Sequence, residues 1–184
     1  MKFTGRNFSN DEISNYFGPS EDGILRRLVP EEPQTAMETY LREYKRHHSA
    51  YARIFPGILD LLKQLRENQI KLGIITGKSW ESLAISLEDF NLREYFDILV
   101  AGSPERSFKD VNIRQVVAEW EFKPNDALYA GDTVPDIVAA REAGVVPVGV
   151  YWSATADAAK LRAENPAGVF GEVLEFRAWI LDHL

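Results

Sequence analysis

Leu128-Tyr129-Ala130-Gly131-Asp132-Thr133-Val134-Pro135-Asp136 runs from a short apolar stretch through a glycine to two carboxylates four residues apart, and continues into Ile137 and Ala139-Ala140-Arg141-Glu142-Ala143-Gly144. The pattern predicts a buried strand over 126–130, a tight turn, and a helix over 134–143 closed by Gly144. Asp132 then stands at the carboxyl end of a strand, where ligands bind in open parallel sheets. Asp136 returns to the same side one helical turn later. Such a pair suits a hard divalent cation, Mg²⁺ first, because Mg²⁺ takes oxygen ligands and keeps several waters. The competing account makes Asp132 the N-cap of the helix and Asp136 a favourable first-turn charge. The glycine and the strand-loop-helix context favour the metal.

Outward from this segment, elements alternate as in a parallel sheet with crossover helices. The sequence predicts helices over 57–68, 79–89, 112–121 and 171–182, and strands over 70–75, 97–101 and 145–150. Ile70-Lys71-Leu72-Gly73-Ile74-Ile75 and Val145-Val146-Pro147-Val148-Gly149-Val150 are apolar enough for a sheet covered on both faces. The expected class is α/β, a three-layer Rossmann-like parallel sheet core over 52–184, with a helical subdomain over 1–51. In the latter, Ser9-Asn10-Asp11-Glu12 offers N-cap chemistry ahead of Ile13, Tyr16 and Phe17. A short helix follows from Ser20, and a longer one from Pro33 to about Ala50 carries a Met37, Tyr40, Leu41, Tyr44 stripe.

Composition removes several function classes. The chain has no cysteine, so disulfides, thiolate chemistry and Cys-type zinc sites are excluded. A formal net charge of −7 argues against nucleic acid as a partner, since backbone phosphates need a basic stripe. No apolar run approaches the roughly 18 residues of a membrane-spanning helix, and residues 1–7 have no apolar signal core, so a cytoplasmic protein without a membrane partner is expected. Oligomeric state, monomer or homodimer, stays open.

Two further segments carry chemistry. In Leu72-Gly73-Ile74-Ile75-Thr76-Gly77-Lys78-Ser79 a strand ends in a hydroxyl and a glycine before a helix. Thr76 and the amides from Gly77 onward suit a phosphoryl oxygen, while a plain N-cap at Thr76 or Ser79 is the bland alternative. The run is not a P-loop, because Leu72 stands where that motif has its first glycine. Lys109, in the loop after the strand 97–101, is placed to neutralise charge on a transferring phosphoryl group. His47-His48 is read as a solvated pair and Trp80, Trp120, Trp152 and Trp179 as core or edge packing, with Trp152 a possible border of the site.

Thr76, Lys109 and Asp132/Asp136, in that order and each after its own strand, resemble motifs two, three and four of the haloacid dehalogenase superfamily, and of its phosphoglycolate phosphatase-like branch in particular. Phe55-Pro56-Gly57-Ile58, Tyr95-Phe96-Asp97, Gly131-Asp132-Thr133 and Ala140-Arg141-Glu142-Ala143-Gly144 look like that branch, and residues 1–51 look like its cap. The resemblance implies a Mg²⁺-dependent phosphomonoester hydrolase acting on a small phosphorylated metabolite. By it, Thr76 and Gly77 bind the phosphoryl group, Lys109 stabilises its charge, Asp132 ligates the metal, and Asp136 supports the metal or orients Lys109. Asp110-Val111-Asn112 departs from the prolines usual after the lysine.

Motif one is the larger departure. The family places an Asp-x-Asp nucleophile and acid/base pair at the end of its first strand, and no Asp-x-Asp occurs in these 184 residues. That strand lies between the two here expected over 70–75 and 126–130. Its loss strands backbone groups at about 1–3 kcal/mol each, against a net stability of about 5–15 kcal/mol. The expectation is a truncated chain, inactive by itself, with Met1 an internal methionine of a longer protein. The alternatives are a phosphate-binding pseudoenzyme and a nonfunctional fragment.

Overall fold

The computed structural model describes residues 5, 7–9, 12–13, 15–16 and 18–183. Of the expected first cap helix, Asn10, Asp11, Ser14 and Phe17 lie outside the described residues. Its predicted cap is present: Ser9 N donates to Glu12 Oε2 at 2.8 Å, and Glu12 N donates to Ser9 Oγ at 3.2 Å, a reciprocal capping box.

The chain divides into two compact units, Met1–Arg53 with Gly73–Phe108, and Ile54–Leu72 with Lys109–Leu184. The described strands form two parallel sheets, and no described helix is long and apolar enough to cross a membrane.

The first unit holds α1 (Glu21–Leu28), α2 (Pro33–Tyr51), β1 (Gly73–Ile75), α4 (Trp80–Phe90) and β2 (Ile98–Val100). Strands β1 and β2 pair in parallel, Gly73 with Ile98 through Ile75 with Val100. Beyond them, Thr76 N donates to Val100 O at 3.0 Å and Gly102 N to Lys78 O at 2.7 Å. The loops after both strands thus run together. Helix α1 rests on these loops: Ser20, 1% exposed, donates from its amide to Ser103 O at 2.8 Å, and a Cβ on Gly23 would lie 2.1 Å from Pro104 O. Only glycine permits that approach. On α2 the expected stripe is present, with Tyr40 and Tyr44 stacked at 5.8 Å. His48 corrects the solvated reading: its side chain is 11% exposed and its Nδ1 lies 2.7 Å from Asp89 Oδ2, which ties α2 to α4.

The second unit holds α3 (Ile58–Glu67), α5 (Lys109–Glu119), β3 (Leu128–Gly131), α6 (Val134–Ala143), β4 (Val146–Val150), α7 (Ala158–Ala163), β5 (Gly168–Phe170) and α8 (Val173–Leu181). The sheet order is β3-β4-β5, all parallel. Leu61 and Leu65 of α3 meet Val148 of β4 and Val173, Phe176 and Ile180 of α8 in one core, and Trp152 and Trp179 pack against it. Ile137 of α6 is fully buried, so Ile137→Ala should cost about 2–5 kcal/mol. Gly57 opens α3 at φ 88°, a left-handed conformation that glycine adopts without strain.

Three differences from the expected elements have local causes. The strand expected over 70–75 begins only at Gly73, because Gln69 takes φ 60° and Ile70 N donates to Leu65 O at 2.9 Å, closing α3 instead of entering a ladder. The segment between Tyr151 and Gly171, where periodicity predicts no element, contains α7 and β5, both too short for periodicity to register. Trp80 is not a core residue and is 54% exposed.

Candidate functional site

Strand β3 ends at Gly131, and the chain turns through Asp132 and Thr133 into α6. The N-cap is Thr133, not Asp132, in a capping box with Asp136 at the third helical position. Asp136 Oδ2 accepts from Thr133 N at 3.1 Å and from Thr133 Oγ1 at 2.6 Å. Its Oδ1 accepts from Lys109 Nζ. Asp136 is only 3% exposed, and both oxygens are engaged. A Cβ on Gly131 would lie 2.2 Å from Asp136 Cβ, so the glycine makes room for the carboxylate to fold back over the strand end.

Lys109 is the first residue of α5 rather than a loop residue. A cation at a helix N-terminus works against the helix dipole, so a buried carboxylate opposite is what makes this placement favourable. Asp132 is exposed, and the capping box leaves its carboxylate outside the helix start. Sequence reasoning missed Tyr129 here. Burial pushes its phenol well above the usual tyrosine range, reinforced by the charges of Asp136 and Asp132 and by a hydrogen bond to Asp136, so it stays a neutral donor. Its position in the apolar strand gave no signal of this.

A cavity of about 180 Å³ lies at Asp132, walled by Phe55, Gly131, Val150, Trp152 and Ser153. Trp152 therefore both packs on the core and borders the site. Its Nε1 is buried and has no hydrogen-bond partner among the described residues.

Thr76 and Gly77 lie in the other unit, in the loop after β1. Thr76 is half-buried, and its Oγ1 accepts from Lys78 N at 3.3 Å. Gly77 is exposed and is backed by Gly102, whose Cβ, if present, would lie 2.3 Å from Gly77 O. Ser79 is the N-cap of α4, its Oγ accepting from Ser82 N at 3.3 Å. The amide of Ser79 donates to Glu21 Oε2, so one of the amides expected to face a phosphoryl group already carries a carboxylate. Glu21 Oε1 accepts from Tyr40 O–H at 3.2 Å, and Lys78 Nζ donates to Tyr44 Oη at 2.8 Å. These partners come from distant positions in the chain and left no local sequence signal.

Among the described residues no group of three or more His, Asp or Glu side chains gathers as a complete metal cage. The donor chemistry nevertheless fits Mg²⁺, which binds through one or two carboxylates and retains waters. Asp132 offers an exposed carboxylate, while both oxygens of Asp136 are engaged by Lys109 and Thr133.

The sequence pattern described as haloacid dehalogenase-like hydrolase matches residues 1–150. A phosphoglycolate phosphatase of Chromobacterium violaceum is 30% identical over 177 residues, covering 90% of this chain and 79% of that protein. One from Synechococcus elongatus is 37% identical over 100 residues, covering 54% of this chain and 47% of that protein, so the match spans about half of its length. A solved haloacid dehalogenase-like family hydrolase of Streptococcus pneumoniae superposes with a TM-score of 0.73 at 26% identity, over 95% of this chain and 83% of that one. With most of its length inside the family pattern and its parallel α/β architecture shared with a solved member, the chain belongs to the haloacid dehalogenase-like hydrolase family.

Proposed function

We propose that these residues are the greater part of a Mg²⁺-dependent phosphatase acting on a small phosphorylated metabolite in the cytoplasm, with 1–51 serving as cap and 52–184 as core. The observation that carries the reading is the ammonium of Lys109 held by the buried carboxylate of Asp136, in the same strand-to-helix turn that presents Asp132. A cation so fixed costs no reorganisation when negative charge develops on a phosphoryl group. Thr76 and Gly77 bind phosphoryl oxygens, Lys109 stabilises their charge, and Asp132 ligates Mg²⁺. When bound, Mg²⁺ neutralises phosphoryl oxygens. Of the two roles the family resemblance offers Asp136, its contacts favour orienting Lys109.

The nucleophile is not among these residues, which contain no Asp-x-Asp. That absence favours a second reading for the 184 residues by themselves, phosphate binding without turnover.

Hydrolysis of p-nitrophenyl phosphate tests both. The 184-residue chain should release no phosphate, and a protein extended upstream through an in-frame Asp-x-Asp should turn over with Mg²⁺. Failure of a folded extended protein to turn over would discard the phosphatase reading. Turnover by the 184-residue chain that Asp132→Ala abolishes would discard the missing nucleophile.

A further inference from the structure

Beside the Thr76-Gly77 loop, wholly within the first unit, lies a cavity of about 500 Å³. Its floor includes Gly102, which packs on Gly77, and Ser79, the N-cap of α4. Helices α1 and α2 wall it with Asp22, Arg26 and Met37, and α4 contributes Trp80 and Glu81. It stands at the carboxyl ends of two parallel strands, the side on which open α/β sheets bind ligands.

Three of its properties constrain an occupant. The volume falls in the range of organic ligands and would be left mostly empty by a two-carbon acid. Its charged lining is two carboxylates against one guanidinium, and Arg26 Nη2 already lies 3.4 Å from Asp22 Oδ2. Glu21 adds a third carboxylate at the Ser79 amide, while Lys78 is turned to Tyr44, its Nζ 4.8 Å from the ring centroid. A leaving group with its own negative charge would meet repulsion here. The remaining feature is apolar and flat: Trp80 keeps 54% of its surface exposed in the wall, with the polarizable Met37 also lining it.

We propose that this cavity receives the leaving group of the phosphate ester, and that the group is uncharged, ring-bearing and of nucleoside size, making the substrate class a nucleoside 5′-monophosphate rather than a phosphorylated acid. The inference rests on the phosphatase reading above. The base stacks on Trp80, and Asp22 and Glu81 accept from sugar hydroxyls or base amino groups, which are donors that 2-phosphoglycolate lacks.

Calorimetric titration of the 184-residue chain tests it with adenosine 5′-monophosphate, adenosine, inorganic phosphate and 2-phosphoglycolate. The monophosphate should bind at least about tenfold tighter than inorganic phosphate, the increment of one stacked base. 2-Phosphoglycolate should gain nothing over phosphate. Trp80→Leu should remove the advantage without changing phosphate affinity, and Trp80→Phe, which keeps a ring, should retain most of it. Circular dichroism melts establish that both variants fold. The inference is overturned if 2-phosphoglycolate matches the monophosphate, if Trp80→Leu leaves the monophosphate unaffected, or if the folded chain binds no monophosphate. Phosphate binding lost in Thr76→Val, with no gain from the nucleoside, leaves the phosphatase reading standing and removes this one. Adenosine binding lost in Trp80→Leu, with no phosphate binding at all, would leave only a nucleoside-binding cavity, removing the phosphatase reading and with it the assignment of the nucleoside as a leaving group.

Discussion

Lys109 donates from Nζ to Oδ1 of Asp136, a carboxylate whose other oxygen is held by the amide and hydroxyl of Thr133. One side chain thereby caps α6 and fixes the lysine that opens α5. The pair is asymmetric in burial, with 22% of the lysine side chain exposed and 4% of the aspartate. Most of the energetic consequence of separating them falls on the carboxylate, which loses a cation in a poorly solvated place.

Lys109→Met should destabilise the second unit by about 2–3 kcal/mol, since the buried carboxylate keeps only neutral donors. Urea unfolding measures the loss. Asp136→Asn added to Lys109→Met should restore part of it, because the uncompensated charge is gone, and the two changes should be non-additive.

Gly131→Ala should be worse than its size suggests. The new methyl would occupy the space of Asp136 Cβ and Cγ, at 2.2 and 2.6 Å from them, and neither strand nor helix can yield cheaply. A loss of about 1–3 kcal/mol is expected in thermal unfolding.

Thr76→Val should lower affinity for inorganic phosphate about tenfold while changing stability by less than about 1 kcal/mol, since the hydroxyl makes one long bond to Lys78 N. Titration calorimetry and a melt on the same sample separate the two effects. An equal drop in both would mean the hydroxyl is structural.

Asp89 should mark the acid limb of stability. The hydrogen bond from His48, then that from Ser49, hold its carboxyl below the ordinary value of 3.8. A depressed carboxylate contributes stability that is full above its unfolded value and is lost as pH falls through the folded one. The stability difference between wild type and Asp89→Asn should therefore be fully expressed at about pH 5 and shrink as pH falls below 3.8. Urea midpoints across that range measure it, and a difference that grew on acidification would reverse the assignment.

Much of the molecule was legible without coordinates because its signals are local. A strand expected over 126–130 and observed as Leu128–Gly131, a carboxylate after it and a small-residue helix closed by Gly144 need only nearest neighbours to specify them, and the predicted α6 matches the observed Val134–Ala143. The parallel α/β class followed from the same alternation of elements. The family resemblance likewise came from short motifs in a fixed order.

What only tertiary structure decided is which of several equivalent groups met. Thr133 rather than Asp132 caps α6, because the glycine at 131 lets Asp136 fold back onto the strand end. Glu21 reaches the Ser79 amide across 58 positions, and Lys109 reaches Asp136 across 27. Hydrophobic periodicity says which face of an element is buried. It carries no term for pairs of polar groups brought together by chain closure, whose bonds form only once the core has set the distance between them.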